Sequence, residues 1–152
     1  MSPEPFSLTS TAFKDSGAIP RRFSCDGENV SPDLAWAGAP DGTKALVLIV
    51  VDPDARGFVH WLVYDMTGTP AGGLPLAVSV SPDAPPQGTN SFGKPGYGGP
   101  CPPSGTHHYR FTLSALDAVL ELSGAPRLDT IRAAMAGHVL ADATLTATYR
   151  RG

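Results

Sequence analysis

The sequence lacks any long hydrophobic segment. None of its apolar stretches approaches the roughly 20 residues that a membrane-spanning helix needs. The N-terminal stretch MSPEPFSLTSTAF contains neither the basic region nor the apolar region of a secretory signal peptide. From the sequence we therefore expect a protein of the cytoplasm.

The sequence also lacks an excess of positive charge. Its 11 lysines and arginines are outnumbered by 14 aspartates and glutamates, which gives a formal net charge of -3 at pH 7. No run of basic residues supplies the electrostatic footprint that binding to a nucleic-acid backbone requires. Nucleic acid is therefore not an expected partner.

Cysteine is scarce, with only Cys25 and Cys101 in the whole chain. Two cysteines cannot complete a zinc site alone, and they do not make the disulfide framework of a small secreted protein. Each lies in a loop rich in glycine and proline. Because cytosolic thiols stay reduced, we predict two buried free thiols, with a disulfide as the alternative.

Glycine and proline are abundant instead, with 17 and 16 residues. This composition favours an all-β protein with shaped loops over a helix bundle. Strand patterns cover residues 6–9, 34–36, 45–51, 59–64, 76–80, 107–116 and 143–150, and one helix is predicted at Leu128–Met135, with Gly137 as its stop. Because no internal repeat or linker separates two domains, we predict one domain over residues 1–152. Because strands and helices do not alternate, we expect an antiparallel β-sandwich of two sheets with one or two short helices.

An acidic turn joins two apolar strands in residues 47–64, VLIVVDPDARGFVHWLVY. Asp52 and Asp54 lie in the turn, and His60 lies just inside the second strand. An aspartate that ends one buried strand and a histidine that begins its neighbour are expected to lie close together at a sheet edge. Hydrophobic burial explains the strands but not these ionisable groups, so the stretch indicates a site.

Alternation along the second of these strands assigns its side chains to two faces. Successive strand residues point to opposite sides, so His60, Leu62 and Tyr64 are predicted to share one face. Trp61 and Val63 are predicted to share the other. The tryptophan is interpreted as a core residue rather than as a ligand platform.

A loop of low regularity is predicted at residues 81–106. Thirteen of its 26 residues are glycine or proline, so no regular ladder can persist through it. Loops of this length are usually functional or disordered. Phe92 and Tyr97 are poor choices for a disordered linker. We therefore predict an ordered loop that packs against the core and shapes a binding site.

The candidate site combines the acidic turn with His60 and with the strand that begins His107, His108, Tyr109. Imidazoles and a phenol beside glycine-rich and proline-rich backbone suit a small anion such as phosphate. Two aspartates and up to three histidines also resemble a zinc or iron ligand set. Because no His-x-His or His-x-x-x-His pair is present, metal binding ranks below anion binding.

Each of these residues also has a structural explanation. His60 considered alone is better explained as a hydrogen-bonded structural histidine than as a ligand. Asp52 and Asp54 could accept hydrogen bonds from amides of their own turn. His107 and His108 alternate along a strand, so at most one of them is expected to point into a cleft.

Four stretches together resemble the phosphatidylethanolamine-binding protein family, in its short bacterial and archaeal, Raf kinase inhibitor-like branch. They are VVDPDARGFVHWLVYDM, NSFGKPGYGGPCPPSGTHHYRFTLSALD, CDGENVSPDLAW and HVLADATLTATYRR. The resemblance spans nearly the whole chain. It implies a Greek-key β-sandwich with a small pocket for phosphate, acetate or a phospholipid head group.

The resemblance also implies which residues form the pocket. Matched motif by motif, the ligand-binding residues are Asp52, Asp54, His60, His107 and Tyr109, with Gly99 and Cys101 near the family's pocket glycine. Two positions depart from the usual family motifs. Arg56 replaces the last proline of DPDAP, and His108 replaces the arginine of His-Arg-Tyr.

Three functions remain open at this stage. The first is a non-enzymatic protein, without cofactor or metal, that binds a small anion such as phosphate or a phosphorylated head group. The second is a regulator that docks on a partner protein, a protease or a kinase, as the family's inhibitors imply. The third is a hydrolase in which Asp52 and a histidine activate water. A homodimer is also left open, since the sequence predicts no particular interface.

Overall fold

The structure, a computed structural model, describes residues 5–151. It contains the strands β1 (Ser7–Thr9), β2 (Gly17–Ala18), β3 (Leu34–Ala37), β4 (Ala45–Asp52), β5 (Phe58–Thr67), β6 (Gly72–Leu74), β7 (Gly105–Leu116) and β8 (Val139–Arg151). Within the described residues there is one α-helix, α1 (Leu128–Met135), and there are 3-10 turns at Arg21–Phe23, Pro53–Ala55 and Val78–Val80. No helix among residues 5–151 is long and apolar enough to cross a membrane.

The strands form two sheets. The larger sheet has the order β2-β8-β7-β4-β5, and the smaller has the order β1-β3-β6. Neighbouring strands are antiparallel except β2, whose two residues run parallel to β8. The predicted two-sheet β fold is confirmed, with a parallel edge pairing that the sequence did not indicate.

Hydrophobic side chains cover both faces of the larger sheet. Between the sheets, Trp36 of the smaller sheet belongs to one buried cluster with Trp61 and Phe111 of the larger. On the opposite face, α1 buries Ile131 and Met135 against residues of β4 and β5. Full burial of each such side chain stabilises the fold by about 1.5–3 kcal/mol. Since β4 is covered on both faces, its unbroken apolar run is explained.

The prediction of a strand at residues 76–80 was wrong. The strand of this region is β6, and Pro75 follows it directly. Ala77 then adopts a left-handed conformation with φ 60°, after which Val78–Val80 forms a 3-10 turn. A left-handed residue reverses the chain direction and cannot continue a strand. The helix prediction, in contrast, is confirmed at both ends.

The loop predicted at residues 81–106 ends at residue 104, because β7 begins at Gly105, and it follows the outer edge of β5. The backbone N–H of Ser91 donates to the carbonyl of Val59 (2.8 Å), and that of Gly98 donates to the carbonyl of His60 (2.9 Å). These bonds satisfy an edge that would otherwise expose unpaired backbone groups. The prediction that the loop packs against the core is confirmed.

Candidate functional site

The ends of β4, β5 and β7 meet the long loop at a small cavity of about 210 Å³. Five of the seven predicted site residues line it: Asp52, His60, Cys101, His107 and Tyr109. They come from segments that are far apart in the sequence. The spatial convergence on which the predicted site depends is therefore present.

His60 reaches this cavity because β5 is irregular at that residue. Val51 pairs with Val59 and Val50 pairs with Trp61, so His60 is an extra residue between two pairs, a β-bulge. The bulge turns His60 toward the side of Trp61, where its ring contacts Tyr109. The prediction that His60 shares a face with Leu62 was therefore wrong.

The loop fixes the protonation pattern of the His60 ring. Its Nδ1 lies 2.6 Å from the carbonyl oxygen of Gly98. Because a carbonyl can only accept a hydrogen bond, Nδ1 carries the proton and Nε2 is the nitrogen left for a ligand. Burial lowers the pKa of His60, so the ring is neutral near pH 7.

Asp52, which is buried, and His107, which is partly buried, form a pair beside this ring. The distance from Asp52 Oδ2 to His107 Nδ1 is 2.5 Å, and the side chains are 3% and 17% exposed. The other carboxylate oxygen, Oδ1, accepts the backbone N–H of Asp54 at 2.8 Å. Both oxygens of the carboxylate are thus engaged, and the Nε2 atom of His107 remains for a ligand.

Tyr109 supplies a hydroxyl that has no partner of its own. The residue is 1% exposed, and its Oη is one of two buried side-chain polar atoms in residues 5–151 without a hydrogen-bond partner. Burial raises the pKa of Tyr109, and the nearby Asp52 charge raises it further, so the hydroxyl keeps its proton. A buried donor of this kind is costly unless a ligand or water accepts from it.

The remaining wall of the cavity is apolar, and the sequence did not reveal it. It is formed by Ala55, Phe58, Phe92, Pro102 and Pro103. The rings of Phe58 and Phe92 contact each other edge to face, with centroids 4.8 Å apart, and Phe92 also contacts His60. The one available signal was an aromatic residue, Phe92, inside a loop rich in glycine and proline.

Two predicted site residues, Asp54 and Gly99, do not line the cavity. The Asp54 carboxylate accepts from the backbone N–H and from the Nδ1 of His108, both at 2.8 Å, on the protein surface. The side-chain bond from His108 lowers the pKa of Asp54. Gly99 donates its N–H to Asn29 Oδ1, and a Cβ at Gly99 would lie 2.1 Å from the Phe23 carbonyl oxygen. The glycine therefore permits a close loop contact behind the cavity.

The prediction of two free thiols was wrong, because Cys25 and Cys101 form a disulfide. The two residues are separated by 76 positions, and the fold brings their Cα atoms within 5.4 Å. The same two loops are also joined by a hydrogen bond from the Cys25 N–H to the carbonyl of Pro100. Since a pairing across this distance in sequence depends on tertiary structure, the residues alone could not indicate it.

The cavity contains hydrogen-bonding groups but no obvious nucleophile. Its lining includes a phenol, two imidazoles and a carboxylate, while the Cys101 sulfur is already bonded to Cys25. Within residues 5–151, no three histidine, cysteine, aspartate or glutamate side chains are grouped so as to hold a metal ion. The arrangement is suited to holding a small hydrogen-bonding molecule.

Comparison with known proteins identifies the family. The family model described as phosphatidylethanolamine-binding protein matches residues 9–150. The chain belongs to this family. A family relative from Methanothermobacter thermautotrophicus, named UPF0098 protein, is 46% identical over 150 residues, which cover 95% of this chain and 99% of that protein. A Mycobacterium tuberculosis protein named as lipoprotein LppC is 46% identical over 123 residues, 78% of this chain and 59% of its own length.

Solved structures of the family agree with the fold. The phosphatidylethanolamine-binding protein homologue CT736 from Chlamydia trachomatis superposes with a TM-score of 0.89 at 36% identity, covering 97% of this chain and 98% of that one. YbcL from Escherichia coli, described as a new member of the mammalian family, has a TM-score of 0.89 at 30% identity. It covers 98% of this chain and 100% of its own.

Proposed function

We propose that this protein is a non-enzymatic binding protein whose cavity takes a small oxyanion, phosphate or a phosphate monoester. The observation that carries the proposal is Tyr109, a residue that lines the cavity and whose buried hydroxyl lacks an acceptor. An anion oxygen would supply that acceptor. Hydrogen bonds to a charged group are stronger than those to a neutral one, which favours an anion over water.

The two imidazoles complete the recognition. Asp52 holds the Nδ1 atom of His107, so Nε2 is the ring atom left to hydrogen-bond to the ligand. His60 is neutral near pH 7, so its Nε2 accepts from a hydroxyl of the ligand, as in a protonated phosphate. A buried carboxylate would repel an anion, but both Asp52 oxygens are engaged here, one with His107 Nδ1 and one with the Asp54 N–H.

The apolar wall limits which substituent the ligand can carry beside its phosphoryl group. Phe58, Phe92, Pro102 and Pro103 offer no charged partner for a second ionic group at their positions in the lining. A cavity of about 210 Å³ accommodates one phosphoryl group and the first atoms of an organic substituent. Small phosphate monoesters are therefore favoured over large polyanions.

Isothermal titration with inorganic phosphate and with ethanolamine phosphate tests the proposal. Tyr109→Phe is expected to weaken phosphate binding by at least roughly tenfold, since it removes one hydrogen bond to a charged group. Tyr64→Phe is the matched control, because its hydroxyl is also a donor on a buried tyrosine but donates to the Gly124 carbonyl outside the cavity.

The two variants are expected to separate binding from stability. Tyr64→Phe should lose about 0.5–1.5 kcal/mol of unfolding free energy and keep its phosphate affinity. Tyr109→Phe should lose no stability in the absence of ligand, because it removes an unsatisfied buried donor. Equal phosphate affinity in Tyr109→Phe and in the wild type would overturn the proposal.

The Asp52–His107 pair favours a second candidate function. A carboxylate that orients a histidine resembles the base of a hydrolase, with His107 Nε2 taking a proton from water as it attacks an ester. A screen of phosphate and carboxylate esters tests this function. Wild-type turnover that is lost in His107→Gln would support this function. Wild-type turnover no higher than that of His107→Gln would rule it out.

A further inference from the structure

A groove of about 350 Å³ lies on the side of the larger sheet that carries α1, where neither the proposed anion site nor the disulfide reaches. It runs between the last turn of α1 and strands β4, β7 and β8. Its volume falls within the roughly 300–1,000 Å³ of small-molecule sites. The groove is therefore large enough to hold a ligand of its own.

The floor of the groove is apolar along β4 and α1, while Thr112 and Ser114 of β7 also line it. Ile49 of β4 and Met135 of α1 are nearly buried beneath it, and Val51 lies beside them. Val139 at the start of β8 is 44% exposed, although it is a large hydrophobic residue. An apolar chain that covered Val139 would remove this surface from water, which is favourable.

Two arginine side chains also line the groove and bring positive charge to it. Arg110 projects from β7 and Arg132 from the last turn of α1, and both line the groove. Among residues 5–151 neither arginine forms an ion pair with a carboxylate. The carboxylate in the lining, Asp142, accepts a hydrogen bond from the Ser114 hydroxyl at 2.5 Å. Two cations against one anion leave a net charge of +1 in the lining.

We propose that this groove binds a small amphipathic carboxylate, an unbranched apolar chain with one carboxylate at its end. The chain would lie on Ile49, Met135 and Val139, and the carboxylate would be held by Arg110 and Arg132. The arginine fork matches a carboxylate in two parallel hydrogen bonds. A monoanion balances the net charge of +1, whereas a dianionic phosphate exceeds it.

Octanoate is the probe, titrated calorimetrically into protein saturated with inorganic phosphate so that the other cavity does not contribute. Acetate and octanol serve as the head group alone and the chain alone, and both are expected to bind at least roughly tenfold more weakly than octanoate. The double variant Arg110→Gln/Arg132→Gln is also expected to lose at least roughly tenfold in octanoate affinity. Arg150→Gln, the same change on β8 outside the groove, should bind as the wild type does.

A second variant keeps the test independent of the arginines. Ala136→Trp fills the groove from the end of α1 at an exposed position, so the fold should tolerate it while octanoate binding is lost. Thermal melting of each variant confirms that it is folded. The proposal is overturned if the wild type shows no saturable binding of octanoate, or if Arg150→Gln weakens binding as much as the double variant does.

Discussion

Two aspartate–histidine pairs of the same composition lie side by side in this protein, Asp52 with His107 and Asp54 with His108. The first lines the cavity, with side chains 3% and 17% exposed, and the second lies on the surface, with side chains 43% and 54% exposed. The histidines are consecutive on β7, so they face opposite sides of the sheet. The comparison teaches that burial, rather than residue type, separates a candidate site from a surface ion pair.

The largest effect is expected from removing the disulfide at the cavity that the Asp52–His107 pair lines. The double variant Cys25→Ser/Cys101→Ser releases a constraint across 76 positions and should lose roughly 2–5 kcal/mol of unfolding free energy. Because Cys101 lines the cavity, phosphate affinity should fall as well, while the Asp54–His108 pair should be unaffected. Guanidinium denaturation and phosphate titration measure the two effects.

The disulfide also bears on where the protein resides. A disulfide is typical of oxidising compartments, whereas the sequence predicts the cytoplasm. Trapping of free thiols in intact cells tests the prediction. Both cysteines should be alkylated if the protein is cytoplasmic, and neither should be if it lies in an oxidising compartment.

The stability prediction has its own contradicting outcome. If the double variant Cys25→Ser/Cys101→Ser has the same unfolding free energy as the oxidised wild type, the disulfide has no structural role.

Removing one aspartate at a time makes the comparison quantitative. Asp52→Ala should cost about 1–3 kcal/mol of unfolding free energy, because the His107 N–H and the Asp54 N–H lose their buried acceptor. Asp54→Ala should cost much less, since its carboxylate is exposed and solvent can replace it. Urea denaturation of both variants checks the order, and equal losses would remove the distinction between the pairs.

The dependence of folding stability on pH should distinguish the cavity, through His60, from the surface pair, through Asp54. The lowered pKa of His60 means that, below about 6.5, the unfolded chain binds a proton that the folded chain does not. Stability without phosphate should therefore fall as the pH drops below that value. The lowered pKa of Asp54 contributes stability above 3.8, and that contribution is lost as the pH falls through the folded-state pKa.

The variant His60→Gln tests the upper part of this window. It removes the titrating ring and should flatten the dependence of stability on pH just below 6.5, measured by thermal melting in buffers without phosphate. Asp54→Ala should leave that part of the curve unchanged and alter only the acid end. A curve that is the same in His60→Gln and in the wild type would show that the buried ring does not control this window.

The sequence predicted the helix and most of the strands, but not β2 or β6 and not every direction in which the side chains point. The unbroken apolar run of β4 and the helical spacing of apolar residues in α1 were sufficient to predict these two elements. Burial of both faces of the strand and of one side of the helix produces those patterns. Alternation failed at His60, where one extra residue in β5 reverses the face. Register of this kind depends on the neighbouring strand and is not encoded in the local pattern.

The candidate site was predicted in part for a similar reason. Asp52, His107 and Tyr109 were found because they lie at strand ends and match family motifs, and alternation correctly separated His107 from His108. The disulfide was given only as the alternative to free thiols, and the contribution of Phe92 was missed. Both depend on how the long loop folds back over β5, and its glycines and prolines carry no periodic signal.

An NMR titration of the imidazole signals with inorganic phosphate tests the central claim most directly, because His107 and His108 are neighbours that serve as probe and control. The account predicts saturable shifts of His107 and His60 with a common Kd, and no saturable shift of His108. Equal shifts of His107 and His108, or no saturable shift of His107, would contradict it.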